Sequence, residues 1–455
     1  MTKQFKRTDI GNGERFLDHY QGKAKYLIEE DRWLLFDNGW KRVDDGHQLT
    51  KPVVRAIYKE PLECPEDDSE GRETLSNWAV YSERTTSQDH MLREARASAG
   101  VHLDDFDANP KTINCLNGIV DLEKKALITK STDELHLKQA NANYSSVSTC
   151  DKWLAFLRQI FNDDEKLIKY IQVGLGYSIT GLIQDHLFFL CHGNGRNGKS
   201  TLLETVLYVL GDYARTSEFE IFLQTKKDLT DARRKEAVGN LRGMRFIVAS
   251  ENKDNTQLNS ALIKKLTGGE RLEGSKLYGD AFQFDPTHKI WLSGNHKPNI
   301  TEGTDAIWER VKVIPFTNKY IGRADNRSLR DELKAEADGI FSWLVDGAHE
   351  YIHNGMPEVP DAVKVKTQAY RDENDKLSLF IAEKIIRAPK EIIRYKDMVA
   401  GYEQWCRDNS VNADTSYFRD KMEERNMYSK RDKDGYKFLD CRLVIEENNA
   451  GPNMR

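Results

Sequence analysis

The sequence predicts an α/β nucleotide-binding core, with an α+β domain ahead of it and a winged helix behind it. Three observations carry this reading. From about residue 185 to 355, the short apolar runs HLFFLCHG, MRFIVAS, HKIWLSGN and RVKVIPF alternate with helical stretches, as the strands of an α/β domain do. The first run leads into GNGRNGKS, Gly193 to Ser200, which has the phosphate-loop spacing of Gly, four residues and Gly-Lys-Ser, followed by a leucine-rich helix. The last hundred residues read as three helices, FIAEKIIR, RYKDMVAGYEQWCRDN and TSYFRDKMEERNM, and then a basic-tipped hairpin, YSKRDKDGYKFLDCRLVI.

The remaining elements follow in order. Residues 1–145 are expected to form the α+β domain, with NGERFLDHYQGK as a short amphipathic helix. RWLLFDNGWKRVDD is expected to be a hairpin turning at Asp37-Asn38-Gly39, with Trp33 and Trp40 in the aromatic core of its sheet. CPEDDSEGRETLSNW reads as an acidic, turn-rich connection, and NCLNGIVDLEKKALITKS as a second hairpin. LDDFD, residues 103–107, sits before a loop proline and reads as a solvated turn. Residues 146–184 turn helical, with Trp153, Phe156, Leu157 and Ile160 on one face, as either a packing element or an oligomerisation collar. Residues 185–355 are the core, and 356–455 the winged helix.

Bulk properties exclude several classes. The longest apolar runs are far shorter than the roughly 20 residues of a membrane span. The N-terminus lacks a secretory apolar core, and the six cysteines are scattered without a CxxC pair. No zinc site or disulfide framework is expected, and the composition predicts a soluble, cytoplasmic protein without membrane partners. The formal charge of −5 argues against a DNA coater, so any nucleic-acid surface must be local.

The loop Gly193, Asn194, Gly195, Arg196, Asn197, Gly198, Lys199, Ser200 and Thr201 carries the first chemistry. Its glycines let backbone N–H groups face phosphate oxygens, Lys199 should reach the outer phosphates of ATP, and the Ser200 hydroxyl should ligate Mg²⁺. Glu251, after MRFIVAS, sits where a carboxylate would help hold Mg²⁺ and polarise the attacking water. Asn295, after HKIWLSGN, suits a water- or phosphate-sensing amide, and equally a turn residue before Pro298. Arg310 lies on a helix-to-strand passage, where a guanidinium could reach the ATP of an adjacent subunit or simply cover a helix surface.

Taken together, GNGRNGKS, NLRGMRFIVASEN, LIKKLTGGERLEGSKLYGDAFQFDP, IWLSGNHKPNI and AIWERVKVIPF resemble a superfamily 3 helicase. More closely, they resemble the phage/plasmid primase-helicase family, which includes the poxvirus-type enzymes. ERFLDHYQGKAKYLIEEDRWLLFDNGW and INCLNGIVDLEKK resemble that family's N-terminal domain. The resemblance implies an AAA+ core, a helical collar and a homo-hexameric ring translocating 3′ to 5′ on single-stranded or forked DNA. It makes Lys199 and Ser200 the Walker A residues, Glu251 the Walker B acid, Asn295 the sensor and Arg310 the arginine finger. The family often has two arginines where this chain has Glu309-Arg310.

GGERLEGSKLYGD resembles the family's DNA-translocating hairpin. Ser275 replaces a common arginine there, which makes Lys276 the first DNA-contact candidate and Arg271 the second. Lys430, Arg431 and Lys433 at the hairpin of the winged helix are expected to contact duplex DNA such as an origin, unless the domain only packs. The chain is expected to lack a primase module and to work with a primase or other replication protein. It is expected to serve a phage, plasmid or mobile genomic island in the host bacterial cytoplasm. Two other readings stay open: an AAA+ remodeller of a protein partner, and a non-motor regulator assembled by ATP.

Overall fold

The computed structural model describes residues 5–444 other than 225–230, 252–255, 277–278, 301–304, 321–327, 410–412 and 414. Helix α1 (Asp9–Tyr20) starts where Thr8 Oγ1 accepts the Gly11 amide at 3.1 Å. Strands β1 (Ala24–Leu27), β2 (Arg32–Phe36) and β3 (Trp40–Arg42) follow, with the expected turn at Asp37–Gly39. Helices α2 (His47–Ile57), α3 (Ser69–Glu83) and α4 (Thr85–Ala99) precede β4 (Gly100–Val101), which joins β1 in parallel to give the order β3-β2-β1-β4. Phe16, Trp33, Val53 and Met91 share the core beneath this sheet, and Trp40 is buried beside Phe106.

Two expectations for this region are corrected. CPEDDSEGRETLSNW is not only a connection: Asp68 Oδ1 accepts the Gly71 amide at 2.8 Å and starts α3. The first turns of the helix are polar and its apolar residues, Leu75, Trp78 and Ala79, come only later, so the acidic start reads as a connection. In LDDFD, Asp104 and Asp105 are exposed, but the Asp107 side chain is only 8% exposed. Its carboxylate accepts the Tyr213 hydroxyl at 2.7 Å and the amides of Leu137 and Lys138, and lies 3.0 Å from His136 Nδ1. The partners come from distant segments, which is why the local pattern reads as solvated.

Strands β5 (Thr112–Cys115), β6 (Gly118–Asp121) and β7 (Ala126–Ile128) form a three-stranded meander, one strand more than the expected hairpin. The helical block resolves into α5 (Asp151–Phe161) and α6 (Glu165–Ile179), and Trp153, Phe156, Leu157 and Ile160 are all buried as their spacing implies. This block packs with β5 and β6 in the core that covers one face of the central sheet.

That sheet comprises β8 (Phe188–His192), which leads into α7 (Lys199–Leu210), then β9 (Ala214–Thr216), and, after α8 (Asp231–Gly239), β10 (Phe246–Glu251). After α9 (Ser260–Thr267) comes a separate hairpin, β11 (Leu272–Ser275) and β12 (Ala281–Phe284). Strand β13 (Lys289–Gly294), α10 (Asp305–Trp308) and β14 (Val311–Pro315) complete the core. The order is β14-β8-β13-β10-β9, parallel throughout. The four expected strands are all present, and β9 is an addition.

Both faces of this sheet are covered, so its strands are apolar runs rather than alternating ones. Phe189, Cys191, Phe246, Val248 and Trp291 face α5, α6, α7 and α12 (Ala337–Asn354), which follows α11 (Leu329–Ala335). Phe188, Leu190, Ile247, Ala249, Ile290 and Leu292 face α9, α10 and α13 (Asp361–Asn374). At the sheet's lower edge, buried Arg245 and Lys289 donate to the carbonyls of Ile179 (2.8 Å) and Thr180 (2.6 Å) and so satisfy the C-terminal end of α6.

The C-terminal region comprises α14 (Lys376–Lys384), β15 (Ile385–Arg394), α15 (Tyr395–Asp408), α16 (Phe418–Glu423), β16 (Ser429–Asp432) and β17 (Gly435–Leu443). The expected first helix therefore stops at Lys384. The isoleucines after it form a third strand, bulged between Arg387 and Ile392, in the order β15-β17-β16. β-Branched residues facing β17 are more favourable there than as a fourth helical turn. Among the described residues, no helix is long and apolar enough to cross a membrane.

Candidate nucleotide-binding site

Three adjacent parallel strands end level with one another. His192 pairs with Gly294, and Gly294 with Glu251. The residues that follow, Gly193 and Asn295, and the backbone of Glu251 therefore share one sheet edge, the crevice where open α/β sheets hold ligands. The Glu251 side chain and residues 252–255 lie outside the described residues.

The loop conformation depends on its glycines at two points. Gly198 has φ +89°, and a Cβ there would lie 2.6 Å from Ile160 Cγ2 of α5. Gly193 is closed in by the Phe316 carbonyl, 2.2 Å from where its Cβ would be. The helical block thus buttresses the loop from below, and the segment after β14 holds it from the side. Asn197 is buried and donates through Nδ2 to the Phe316 carbonyl at 3.2 Å, and the Tyr320 amide donates to the Arg196 carbonyl at 2.8 Å.

Lys199 is 5% exposed, and its Nζ donates to the Gly193 carbonyl (2.5 Å), Asn197 Oδ1 (3.0 Å) and Asn295 Oδ1 (3.2 Å). Burial holds its ammonium below the ordinary lysine range. Gly195, at φ +83°, faces Asn295. Asn194, Arg196 and Ser200 are exposed and Thr201 is half-buried at the first turn of α7, where free backbone N–H groups favour an anion. Nothing in the local sequence foretells the Asn197–Phe316 lock or the Ile160 buttress, because both join residues far apart in the chain.

Arg310 lies elsewhere. Its carbonyl accepts the Phe188 amide, so it sits at the start of β8 and β14, while the phosphate loop sits at their end. The separation is about 13 Å of strand. Its Nη1 donates to the Ala306 carbonyl at 2.6 Å, so the guanidinium folds back on α10. It is not brought together with Lys199, Asn295 and Glu251 within one chain.

On the β11–β12 hairpin, Arg271 stands at the base, 3.5 Å from Asp285. Lys276 follows β11 at the tip, where its Nζ donates to the Glu29 carbonyl at 3.2 Å. In the C-terminal sheet, Lys437 Nζ sits 2.5 Å from Asp432 and 3.9 Å from Asp434. Both acids at the hairpin turn are thus directed onto Lys437. Lys430, Arg431 and Lys433 stay exposed without an ion-pair partner among the described residues, Arg431 lying over the Tyr436 ring.

A family profile described as "D5 N terminal like" matches residues 13–162, and one described as "Family of unknown function (DUF5906)" matches residues 191–310. "Putative helicase L207/L206" of Acanthamoeba polyphaga mimivirus is 25% identical over 423 residues, 84% of this chain and 44% of its own. "Putative helicase 121R" of Invertebrate iridescent virus 3 is 26% identical over 66% of this chain and 35% of its own. "Putative primase C962R" of African swine fever virus (isolate Tick/Malawi/Lil 20-1/1983) is 22% identical over 67% and 34%. The chain spans less than half the length of these relatives. Among solved structures, the apo A form of the NrS-1 C-terminal region aligns over 93% of this chain and 98% of its own, at 9% identity and a TM-score of 0.48. The matched segments and the motifs they contain fit a D5-like helicase-primase of superfamily 3.

Proposed function

We propose that this chain is an ATP-dependent replicative DNA helicase, built as an AAA+ P-loop core with a helical collar and a C-terminal winged helix. The observation that carries the reading is the convergence of Lys199, Asn295 and the end of β10 at one sheet edge. ATP phosphates would lie on the loop 193–201, with Lys199 exchanging its three protein acceptors for phosphate oxygens. Ser200 and Glu251 would hold Mg²⁺, which supplies charge neutralisation between the outer phosphates. Asn295 would orient the attacking water, and Glu251 would accept its proton.

Arg310, at the opposite sheet edge, would act on the nucleotide of a neighbouring copy, which favours a homo-hexamer with its sites between subunits. Lys276 and Arg271 would face single-stranded or forked DNA in the channel, with 3′-to-5′ movement expected from the family. Lys430, Arg431 and Lys433 would face duplex DNA such as an origin, each phosphate contact adding salt dependence. A primase or other replication protein would be the natural partner. The test is unwinding of a forked duplex with ATP, with particle size measured alongside. Strand separation by a Lys199→Ala variant, or a monomer in every nucleotide and DNA state, contradicts the reading.

A further inference from the structure

The acidic residues Asp104 and Asp105 take no part in the chemistry above, yet Asp104 meets the core close to the DNA-contact hairpin. Its Oδ1 is 2.6 Å from Arg242 Nη2 and 3.1 Å from Arg242 Nε, and the Arg242 guanidinium lies over the ring of Phe282, in β12, at 5.0 Å. A second contact reaches the tip of the same hairpin, Lys276 Nζ to the Glu29 carbonyl at 3.2 Å. The two anchors form one unit. The Glu29 carboxylate takes the Leu103 amide at 3.0 Å and lies 3.0 Å from His102 Nδ1, which fixes Glu29 beside Asp104. Glu30, forked onto Arg42 at 2.7 and 2.9 Å, adds a further carboxylate next to Lys276.

We propose that this acidic corner of the N-terminal domain is a latch that holds the β11–β12 hairpin, and that single-stranded DNA releases it. The proposal rests on the helicase reading, in which Lys276 contacts a DNA phosphate. A carbonyl oxygen backed by carboxylates offers Lys276 the same acceptor chemistry as a phosphodiester, so the two compete for one ammonium. The Asp104–Arg242 pair is exposed on the Asp side (62%), and such pairs are screened and individually weak. A polyanion presenting successive phosphates displaces them readily. In the latched state the hairpin's cation is occupied, so ATP turnover without DNA is not coupled to translocation.

The test uses the full chain. Binding of a fluorescein-labelled oligothymidylate is measured by anisotropy for the wild type, Asp104→Asn and Glu29→Gln, and amide hydrogen exchange at residues 28–31 and 102–106 is followed in the wild type with and without the oligonucleotide. The latch requires about 5-fold or more tighter binding in the variants, the size of a modest coupling between sites, and faster exchange in both segments when DNA binds. The exchange measurement stands even where a variant folds poorly. Wild-type binding with no gain in either variant and unchanged exchange overturns the latch alone. No oligonucleotide binding by any form overturns the helicase reading and the latch together.

Discussion

Lys199 Nζ and Asn295 Oδ1 lie 3.2 Å apart, so the cation of the loop and the amide on the neighbouring strand form one unit. Replacing Asn295 by Ala removes an acceptor from Lys199 and, in the proposed mechanism, the group that orients water, but leaves the backbone cradle intact. The expected result is nucleotide affinity within a few-fold of wild type and turnover lowered by about 10²-fold. Equilibrium binding of a labelled ATP analogue and steady-state hydrolysis measure the two separately. An equal loss in both would mean that Asn295 only supports the loop.

The same burial that depresses Lys199 gives a proton signature. The lysine is below its ordinary value in the protein, and a phosphate beside it favours the charged form, so nucleotide binding raises it again. Between the two values the site must take up a proton on binding. Calorimetry at about pH 9, just below the ordinary lysine value, in two buffers of different ionisation heat should give different apparent enthalpies. The difference should shrink as the pH falls further below the ordinary lysine value, because Lys199 becomes charged in both states.

Gly198→Ala places a methyl against Ile160 in a left-handed conformation. A loss of about 1–3 kcal/mol is expected, together with weakened nucleotide binding. Adding Ile160→Ala should restore part of the loss, because it removes the clash though not the backbone strain. Denaturant titration of the single and double variants checks this, and no recovery would exclude Ile160 as the buttress.

Arg310→Ala should retain nucleotide binding and lose hydrolysis, because the residue stands at the sheet edge opposite the loop. Mixing it with Lys199→Ala should recover part of the activity. An intact loop in one copy then meets an intact Arg310 in the next. Mixtures no more active than the separate variants would remove Arg310 from the finger role.

Asp107→Asn should destabilise the protein by about 3 kcal/mol, since it leaves a buried network short of its anion. Burial alone raises the Asp107 carboxyl, but hydrogen bonds from His136 and Tyr213 and the nearby Lys138 cation outweigh it and hold the group below its usual value. A depressed carboxylate contributes stability above its unfolded value, near about pH 4, that is lost as pH falls through the folded value. The variant should therefore unfold more readily at neutral pH and show a flatter acid limb. Thermal melts across the acid range measure both.

The local code was legible wherever a residue's role depends on its neighbours in sequence. GNGRNGKS has a fixed spacing, and the four apolar strands and the helical face of Trp153, Phe156, Leu157 and Ile160 each combine a local pattern with burial. The start of helix α3 was not legible, because its first turns, capped by Asp68, are polar and its apolar residues, Leu75, Trp78 and Ala79, come only later. β15 was not legible either, because Ile385 to Ile393 pair with a strand some fifty residues later.

The sequence by itself determined the phosphate-loop spacing, four of the five core strands and the family resemblance, since these rest on residue type and short-range spacing. Only the tertiary structure decided that Lys199 meets Asn295 across 96 residues, that Ile160 supports Gly198, and that Arg310 faces away from its own loop. It also decided that Asp107 is buried while Asp104 and Lys276 reach opposite partners across one interface. Such relationships depend on strand register and on the packing of distant segments, and a linear pattern of residue types carries neither.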